Sequence, residues 1–486
     1  MSVTLAQLVG KDAELPPQLA ARAVAGLTSD SREVKPGFLF AALPGALADG
    51  AKFIPAAVAA GAVAVIARPG TAADVPVIAS ENPRRLFALA AARFHGVQPD
   101  LVVAVTGTSG KTSVASFVRE MWTAMGFRAA SLGTVGVVGP AGTTELEHTT
   151  PDPMKLHAIA AGLAVDHVHH LVIEASSHGL SQFRLDGLRI SAAGFTNLSR
   201  DHLDYHASEQ EYFDAKARLF EELLPRGAPA VINGDAAHGE AAAARARAAG
   251  LEVLTVGAKG QYLKLVSVDQ AGLGQRLTIE TKGRRHNVLL PLVGAFQASN
   301  ALVAAGLVMA TGGEEEIAMR AIESLKGAKG RLDLVARSKA GAPVFVDYSH
   351  KPDALENAIS ALRPYASNRL HVVFGCGGDR DRGKRPIMGE IAARLADRVY
   401  VTDDNPRGED AAAIRAEIMA GCPGAVEIGD RGAAIRRAVE ALGEGDVLLV
   451  AGKGHEEGQK IGKTVFPFSD HEAVRAAVEG RTYHGQ

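Results

Sequence analysis

The run Leu101-Val-Val-Ala-Val-Thr-Gly-Thr-Ser-Gly-Lys-Thr-Ser113 constrains this chain more than any other stretch. The apolar residues Leu101 to Val105 have the length and character of a buried strand. They break into a glycine-rich turn, and Ser113-Val-Ala-Ser-Phe-Val-Arg119 takes up a helical pattern. A strand, a tight turn and a helix N-terminus in that order aim backbone N–H groups and the positive end of a helix dipole at one point. That is a cradle for phosphate. Lys111 would reach the β- and γ-phosphates, and the Thr112 hydroxyl would be placed to ligate Mg²⁺. The common loop, G-x-x-x-x-G-K-[ST], needs glycine at 105, where this chain has Val105. The shorter form T-G-T-x-G-K-T belongs to a narrower group of ATP users.

Around this loop, short apolar strands alternate with alanine-rich helical stretches almost throughout, which predicts α/β domains with mainly parallel sheets. At roughly 100–200 residues per domain, 486 residues make about three. Residues 1–98 read as a first unit, ending near His95-Gly-Val-Gln-Pro-Asp100. Residues 99–328 form a central block, closed by the linker Gly327-Ala-Lys-Gly330, and residues 329–486 form the third. The third block has strands expected near Val344–Tyr348, Leu370–Gly375, Arg398–Thr402 and Asp446–Ala451, each followed by a polar or glycine-rich loop. Ligands of open α/β sheets sit outside the carboxyl ends of the strands, so these loops should share one rim. Glu240-Ala-Ala-Ala-Ala-Arg-Ala-Arg247 reads as a surface helix.

Charge and cysteine usage exclude several classes. A net charge of −2 gives no footprint for nucleic acid. Two cysteines, Cys376 and Cys422, make neither a disulfide framework nor a zinc site, which fits a reducing compartment. The start, Met1-Ser-Val-Thr-Leu-Ala-Gln-Leu8, lacks the pattern of a secretory leader. No apolar run approaches the ~20 residues of a membrane span. The expectation is a soluble, cytoplasmic protein.

Other segments carry possible chemistry. Glu174 ends the apolar run Leu171-Val-Ile and precedes Ala-Ser-Ser-His178; it suits either a metal or the cap of the next helix. Asn197-Leu-Ser-Arg-Asp-His-Leu-Asp-Tyr-His206 is rich in groups that could hold a metal. Lys216, in an amphipathic pattern with Tyr212, Phe213, Leu219 and Phe220, reads by pattern alone as a solvated cation. Asn233 and Asp235 could hold a base or ribose, or simply make a turn. Cys376 lacks an evident base and reads as packing. The cations from Arg380 to Arg385 read as an anionic small-molecule site.

Taken together, the motifs resemble the Mur ligase family, the ATP-dependent amide-forming enzymes of peptidoglycan precursor synthesis. The resemblance spans nearly the whole chain, in order: Asp30-Ser-Arg32, Val34-Lys-Pro-Gly37 through Pro44-Gly45, Thr106-Gly-Thr-Ser-Gly-Lys-Thr112, Thr149-Thr-Pro151, Glu174-Ala-Ser-Ser-His178, Asn197 to His206, and Val346-Asp-Tyr-Ser-His350. In the third block, Gly375 to Pro386, Thr402-Asp-Asp-Asn-Pro-Arg407 and Ala451-Gly-Lys-Gly-His-Glu456 are similar to the members that add the third peptide residue. Asp404-Asn-Pro-Arg407 resembles the form that takes meso-diaminopimelate, since lysine-adding members lack the arginine. A guanidinium fork suits the carboxylate that distinguishes diaminopimelate from lysine.

The resemblance implies a three-domain Mur ligase architecture: a UDP-binding domain, a central P-loop-like ATPase domain with a mainly parallel sheet, and a Rossmann-like C-terminal domain for the amino acid. It implies ATP and Mg²⁺ as cofactors. The ATP site would comprise Gly107, Thr108, Ser109, Gly110, Lys111, Thr112 and Ser113, with Asn300, Arg331 and Asp347 placing the nucleotide. Lys216 would be carbamylated and, with Thr112, Glu174 and His202, would hold metal; Lys111, Lys216, Glu174 and His202 form the catalytic set. Ser29, Ser31, Ala46, Leu47 and Ala48 would touch the UDP end, and Thr149, Thr150, Ser176, Gln182 and Arg184 the muramoyl dipeptide. Arg380, Asp404, Asn405, Pro406, Arg407, Gly452 and Glu456 would bind diaminopimelate. Gln297 and Ala51 depart from residues common in the family.

The implied reaction joins meso-diaminopimelate to the D-Glu γ-carboxylate of UDP-N-acetylmuramoyl-L-Ala-D-Glu through an acyl phosphate. The partners would be those small molecules, with no nucleic acid or membrane, and the protein a monomer. A lysine-adding or other sister ligase is the near alternative. A nucleotide-gated switch is disfavoured by Val105, and a dinucleotide oxidoreductase by Arg380, which stands where G-x-G-x-x-G needs glycine.

Overall fold

A computed structural model describes residues 3–45, 49–199, 205–206 and 208–483. The chain packs as two compact units. The first comprises Met1–Val266, Ile279–His286 and Ser299–Ile322; the second comprises Ser267–Thr278, Asn287–Ala298 and Glu323–Gln486.

The first unit opens on a four-stranded parallel sheet, Gly26–Thr28, Phe38–Ala41, Ala64–Ala67 and Val77–Ala79. The helix Pro83–His95, capped by the Asn82 side chain, packs Leu86, Phe87 and Ala90 against its core. The chain then enters the larger sheet at Leu101–Thr106. That strand is flanked on both sides by parallel neighbours, His170–Glu174 and Ile190–Phe195. Strand Ala129–Gly133 continues the sheet on one side; Pro229–Asn233 and Glu252–Gly257 continue it on the other, all parallel. Two short antiparallel strands, Gly136–Gly139 and Gly142–Thr144, finish one edge. The order runs on at the other through Leu263–Ala271, Gly274–Thr281 and Arg284–Leu290, whose residues are divided between the units.

The continuous apolar character of Val102 to Val105 follows from this position. A central parallel strand is covered on both faces, and these residues are wholly buried. The parallel register also sets Glu174 beside Val105 and Phe195 beside Thr106. The loops after three neighbouring strands therefore leave the sheet at one end, where the phosphate loop lies.

The second unit carries a six-stranded sheet in the order Asp333–Arg337, Pro343–Asp347, Val447–Ala451, Leu370–Phe374, Arg398–Val401, Val426–Glu427. Only the first strand is antiparallel to its neighbour. The four expected strands fall within a residue or two of their predicted places and their carboxyl ends do share one rim. The helix expected at 240–247 forms as Gly239–Ala248, yet it is less exposed than its composition predicts: Ala242, Ala243 and Ala246 pack into the core. Alanine lets a helix approach a sheet closely, and the arginines Arg245 and Arg247 face the other way to pair with Glu221 and Glu240. Among the described residues, no helix is long and apolar enough to cross a membrane.

Candidate functional site

The phosphate loop is held open by its own strand and by Asn197. Gly107 and Gly110 have φ of 148° and 87°, a region that favours glycine. A Cβ on Gly107 would collide with the Thr196 hydroxyl, and one on Gly110 with the Asn300 amide oxygen. Asn197 accepts the Thr108 N–H on its carbonyl (2.9 Å) and the Ser109 N–H on its side-chain oxygen (2.9 Å). Its amide donates back to the Ser109 carbonyl at 3.2 Å. Lys111 opens the helix Lys111–Ala124, and its Nζ donates to the Gly107 and Thr108 carbonyls at 2.8 and 2.9 Å. Ser113 lies buried in the first turn.

Glu174 is 1% exposed and completely enlisted. Its Oε2 accepts from the Thr112 hydroxyl (3.0 Å) and the Thr134 hydroxyl (3.2 Å), and its Oε1 from the Thr134 N–H (2.8 Å). It does not cap the following helix. The Ser176 hydroxyl does that, accepting from the Gly179 N–H. Of the two roles open to Glu174 in sequence, the structure keeps the carboxylate beside Thr112. Two hydroxyls and a carboxylate are the hard oxygen donors that Mg²⁺ prefers.

Lys216 overturns the reading from pattern. It is 1% exposed, and its Nζ donates to the Gly107 carbonyl at 2.8 Å while lying 4.3 Å from the centre of the Tyr212 ring. The helix Glu209–Arg218 turns Tyr212, Phe213, Lys216 and Ala217 inward. Tyr212 and Lys216 are four residues apart, so the lysine belongs to the apolar stripe rather than the wet face. Burying an ammonium costs on the order of several kcal/mol unless it is compensated. Here it also shares its acceptor with Lys111, so the two cations repel. Carbamylation would turn one of these cations into an anion and convert that repulsion into attraction.

A second group of expected residues is joined to the first through Glu174. The Thr150 hydroxyl donates to the Glu174 carbonyl (2.8 Å), and the Ser176 hydroxyl and N–H lie on Thr150. Arg184 donates to the Thr150 carbonyl at 2.6 Å and to the Gln182 side chain at 2.8 Å. The Thr149 hydroxyl is 3.1 Å from that of Thr134. Ser29 and Ser31 sit apart from these, at the carboxyl end of strand Gly26–Thr28; Asp30 caps the short turn Ser31–Glu33 and pairs with Arg32. Ala51, in the short helical turn after Asp49, donates its N–H to the Asp49 carboxylate at 3.0 Å. Ala46, Leu47, Ala48 and His202 lie outside the described residues. Asn233 ends its strand and donates to the Thr196 carbonyl, and Asp235, in the turn that follows, accepts the Ala258 and Lys259 N–H groups.

In the second unit, Asp347 ends its strand, accepting the Leu332 N–H (2.7 Å) and the Ser349 hydroxyl. Burial pushes its carboxyl above the usual range, against the pull of Arg331. The Arg331 guanidinium stands 4.9 Å from the Tyr348 ring. Beside them lies the loop Asp404–Arg407. Arg407 has φ of 51°; its N–H bonds to the Lys460 carbonyl and its Nη1 to the Gly378 carbonyl at 2.8 Å. Among the described residues nothing bonds to the rest of its fork. Asn405 donates to Glu456 at 3.0 Å, and burial pushes the Glu456 carboxyl up. Gly452, with φ of 119°, brings its backbone close to Asp404. Arg380 is exposed and, among the described residues, hydrogen-bonds only to the Asp379 carbonyl.

The rest of the Arg380–Arg385 run has internal partners. Arg382 pairs with Glu417, Lys384 donates to the His350 carbonyl, and wholly buried Arg385 spans Glu409 and Glu417. These cations fasten the glycine loop to its neighbours. Cys376 is buried beside Met388, and burial pushes its thiol to about 12, which fits packing.

Three functional residues escaped the sequence reading. Asn197 stood in a recognised motif and clamps the phosphate loop. Lys453 stood between two glycines and holds the Asn405 side chain from a buried position. Thr134 holds Glu174 from a neighbouring strand end, and nothing in the sequence marks it.

Residues 23–98 match the model of the Mur ligase family catalytic domain, 105–308 that of the Mur ligase middle domain, and 330–454 that of the Mur ligase glutamate ligase domain. The chain belongs to the Mur ligase family. It therefore has the three-domain Mur ligase architecture and is an amide-forming ligase. The UDP-N-acetylmuramoyl-L-alanyl-D-glutamate–2,6-diaminopimelate ligase of Agrobacterium fabrum is 56% identical over 461 residues, covering 95% of this chain and 94% of that one. Its counterpart from Bradyrhizobium diazoefficiens is 56% identical over 482 residues, covering 98% and 99%. A solved structure of a ligase of the same name superposes with a TM-score of 0.73 at 34% identity, covering 99% of each chain.

Proposed function

We propose that this Mur ligase joins meso-2,6-diaminopimelate to the D-Glu γ-carboxylate of UDP-N-acetylmuramoyl-L-Ala-D-Glu at the expense of ATP, in the cytoplasm and as a monomer. The observation that carries the substrate choice is the Arg407 fork, tethered through one nitrogen to Gly378 with the remainder unbonded among the described residues, on the same short loop as Asn405, which holds the carboxylate of Glu456. A guanidinium fork suits the carboxylate of an amino-acid centre, and a carboxylate suits its ammonium. Lysine lacks that second centre's carboxylate and would leave the fork unfilled, which disfavours the lysine-adding alternative.

Residues 1–98 would hold the UDP end through Ser29, Ser31 and the loop Ala46 to Ala48. Residues 99–328 would hold ATP on Gly107 to Ser113 with Asn300, and the muramoyl dipeptide on Thr149, Thr150, Ser176, Gln182 and Arg184. Residues 329–486 would present Arg331 and Asp347 to the nucleotide, and Arg380, Asp404 to Arg407, Gly452 and Glu456 to diaminopimelate. Thr112, Glu174, His202 and carbamylated Lys216 are the groups that would hold Mg²⁺, which neutralises phosphate charge when bound.

The γ-carboxylate oxygen attacks the γ-phosphorus and ADP leaves, giving an acyl phosphate. The amine then attacks the acyl carbon, loses a proton, and expels phosphate. Little covalent work falls to the protein. Lys111 must leave the Gly107 and Thr108 carbonyls for phosphate oxygens, and the loop N–H groups orient the same phosphates. The test is ADP release with the UDP substrate, ATP and Mg²⁺, with meso-diaminopimelate or L-lysine in parallel and product mass as readout. Turnover with meso-diaminopimelate alone is expected; turnover with lysine alone would overturn the substrate choice.

A further inference from the structure

The loop Asp404–Arg407 owes its shape to a cation that the reaction itself does not use. The Lys453 side chain is wholly buried. Its Nζ donates to the Asn405 side-chain oxygen at 2.9 Å and to the Gly458 carbonyl at 2.6 Å. It lies 3.4 Å from Asp404 Oδ1 and 3.5 Å from Glu456 Oε2. One ammonium thus sits among two carboxylates, an amide and a backbone carbonyl.

An ammonium can only donate, and so can the Lys460 N–H, which also meets the Asn405 oxygen at 2.9 Å. Between them they fix which way the amide faces. The oxygen must turn to Lys453, and the NH₂ must turn to Glu456, where it donates at 3.0 Å. An amide has a second N–H, and among the described residues nothing bonds to it. Asn405 is thereby set to offer one proton to a ligand acceptor while its other proton steadies Glu456. The ammonium also allows two carboxylates to stand together: without it, Asp404 and Glu456 would repel across a poorly hydrated space.

We infer that Lys453 is the positioning residue of the amino-acid site, orienting the Asn405 amide and keeping Glu456 a carboxylate that can receive the ammonium group of the incoming diaminopimelate. This rests on the amino-acid site proposed above. Lys453 touches no reacting atom; it acts through Asn405 and Glu456. Its loss should therefore appear in amino-acid binding and not in nucleotide binding or in the chemical step.

The experiment compares wild type with Lys453→Met, Lys453→Gln, Asn405→Ala and the Lys453→Met/Asn405→Ala double variant, each checked for folding by its melting temperature. KM and kcat are measured for each of the three substrates. Lys453→Met should raise the KM for diaminopimelate by about 10- to 100-fold, the value of losing a hydrogen bond to a charged group, with KM for ATP and the UDP substrate within about two-fold. The double variant should be little worse than the worse single one, because both remove one arrangement.

The pH profile adds a readout that a merely structural lysine would not move. Among the described residues, Asp404, Lys453, Tyr348 and Arg431 are the titratable or charged groups around Glu456. Removing the Lys453 charge leaves burial and Asp404 to push the Glu456 carboxyl up further, so the acidic limb of kcat/KM for diaminopimelate should move to higher pH. Equal losses for all three substrates, additive effects in the double variant, an unmoved acidic limb, or failure of both Lys453 variants to fold would overturn the inference. A wild type that turns over no diaminopimelate would instead sink the proposed function.

Discussion

Arg407 concentrates the specificity argument in one side chain. Its backbone is held left-handed by the Lys460 carbonyl and by its own carbonyl accepting from Gly462, so the side chain is aimed by main-chain bonds. Replacing it with lysine keeps the charge and removes the fork. Arg407→Lys should raise the KM for meso-diaminopimelate by about 10- to 100-fold, roughly 1.5–3 kcal/mol, in steady-state kinetics with the KM for ATP unchanged. An equal KM in variant and wild type would remove Arg407 from the site. Lys216 carries a different lesson at this scale. Its identity is plain in the sequence, but its burial is not, because an isolated lysine on an amphipathic helix is ordinarily wet.

At the scale of elements, the phosphate loop works because a strand, two glycines and a helix start leave no freedom at Gly110. An alanine there must adopt φ near 87° and meet the Asn300 oxygen. Gly110→Ala should cost about 1–2 kcal/mol through the left-handed backbone alone, with more from the displaced Asn300. The ATP-induced rise in melting temperature should shrink or vanish in this variant while the unliganded protein melts only slightly lower. A full nucleotide shift would show that the loop tolerates a side chain. The strand, loop and helix were readable from Leu101–Ser113 because hydrophobic run, glycine spacing and helical pattern agree there. The clamp from Asn197 was not readable, since it depends on two strands being parallel neighbours.

Across the whole molecule, buried histidines tie stability to pH. His157 is 1% exposed, with its Nε2 3.0 Å from the Asp186 carbonyl, and burial lowers its pKa to about 4. The unfolded chain binds a proton there near 6.5, as an ordinary imidazole does, the folded chain near 4. Its contribution is therefore complete above about 6.5 and is lost as pH falls towards 4, up to about 3 kcal/mol. His157→Gln, whose side chain does not titrate, should flatten the fall in the urea midpoint between pH 6.5 and 4. An unchanged slope would mean that this histidine is protonated in the folded protein.

The sequence by itself determined the α/β class, the phosphate loop, the rim of the third block and the order of motifs that marks a Mur ligase. The first three live in local spacing, in apolar runs, glycines that need φ > 0 and short polar loops after strands; the last is a resemblance carried by the motifs in order. Tertiary structure alone decided that Glu174 faces Thr112 and not the next helix, that Lys216 is buried against Gly107, and that Arg382 and Arg385 are spent on Glu409 and Glu417. It also gave Lys453 its place among Asn405, Asp404 and Glu456. The physical reason is common to all of them. A charged side chain's role depends on which partner replaces its water, and that partner is brought by sheet register and loop packing from residues distant in the chain.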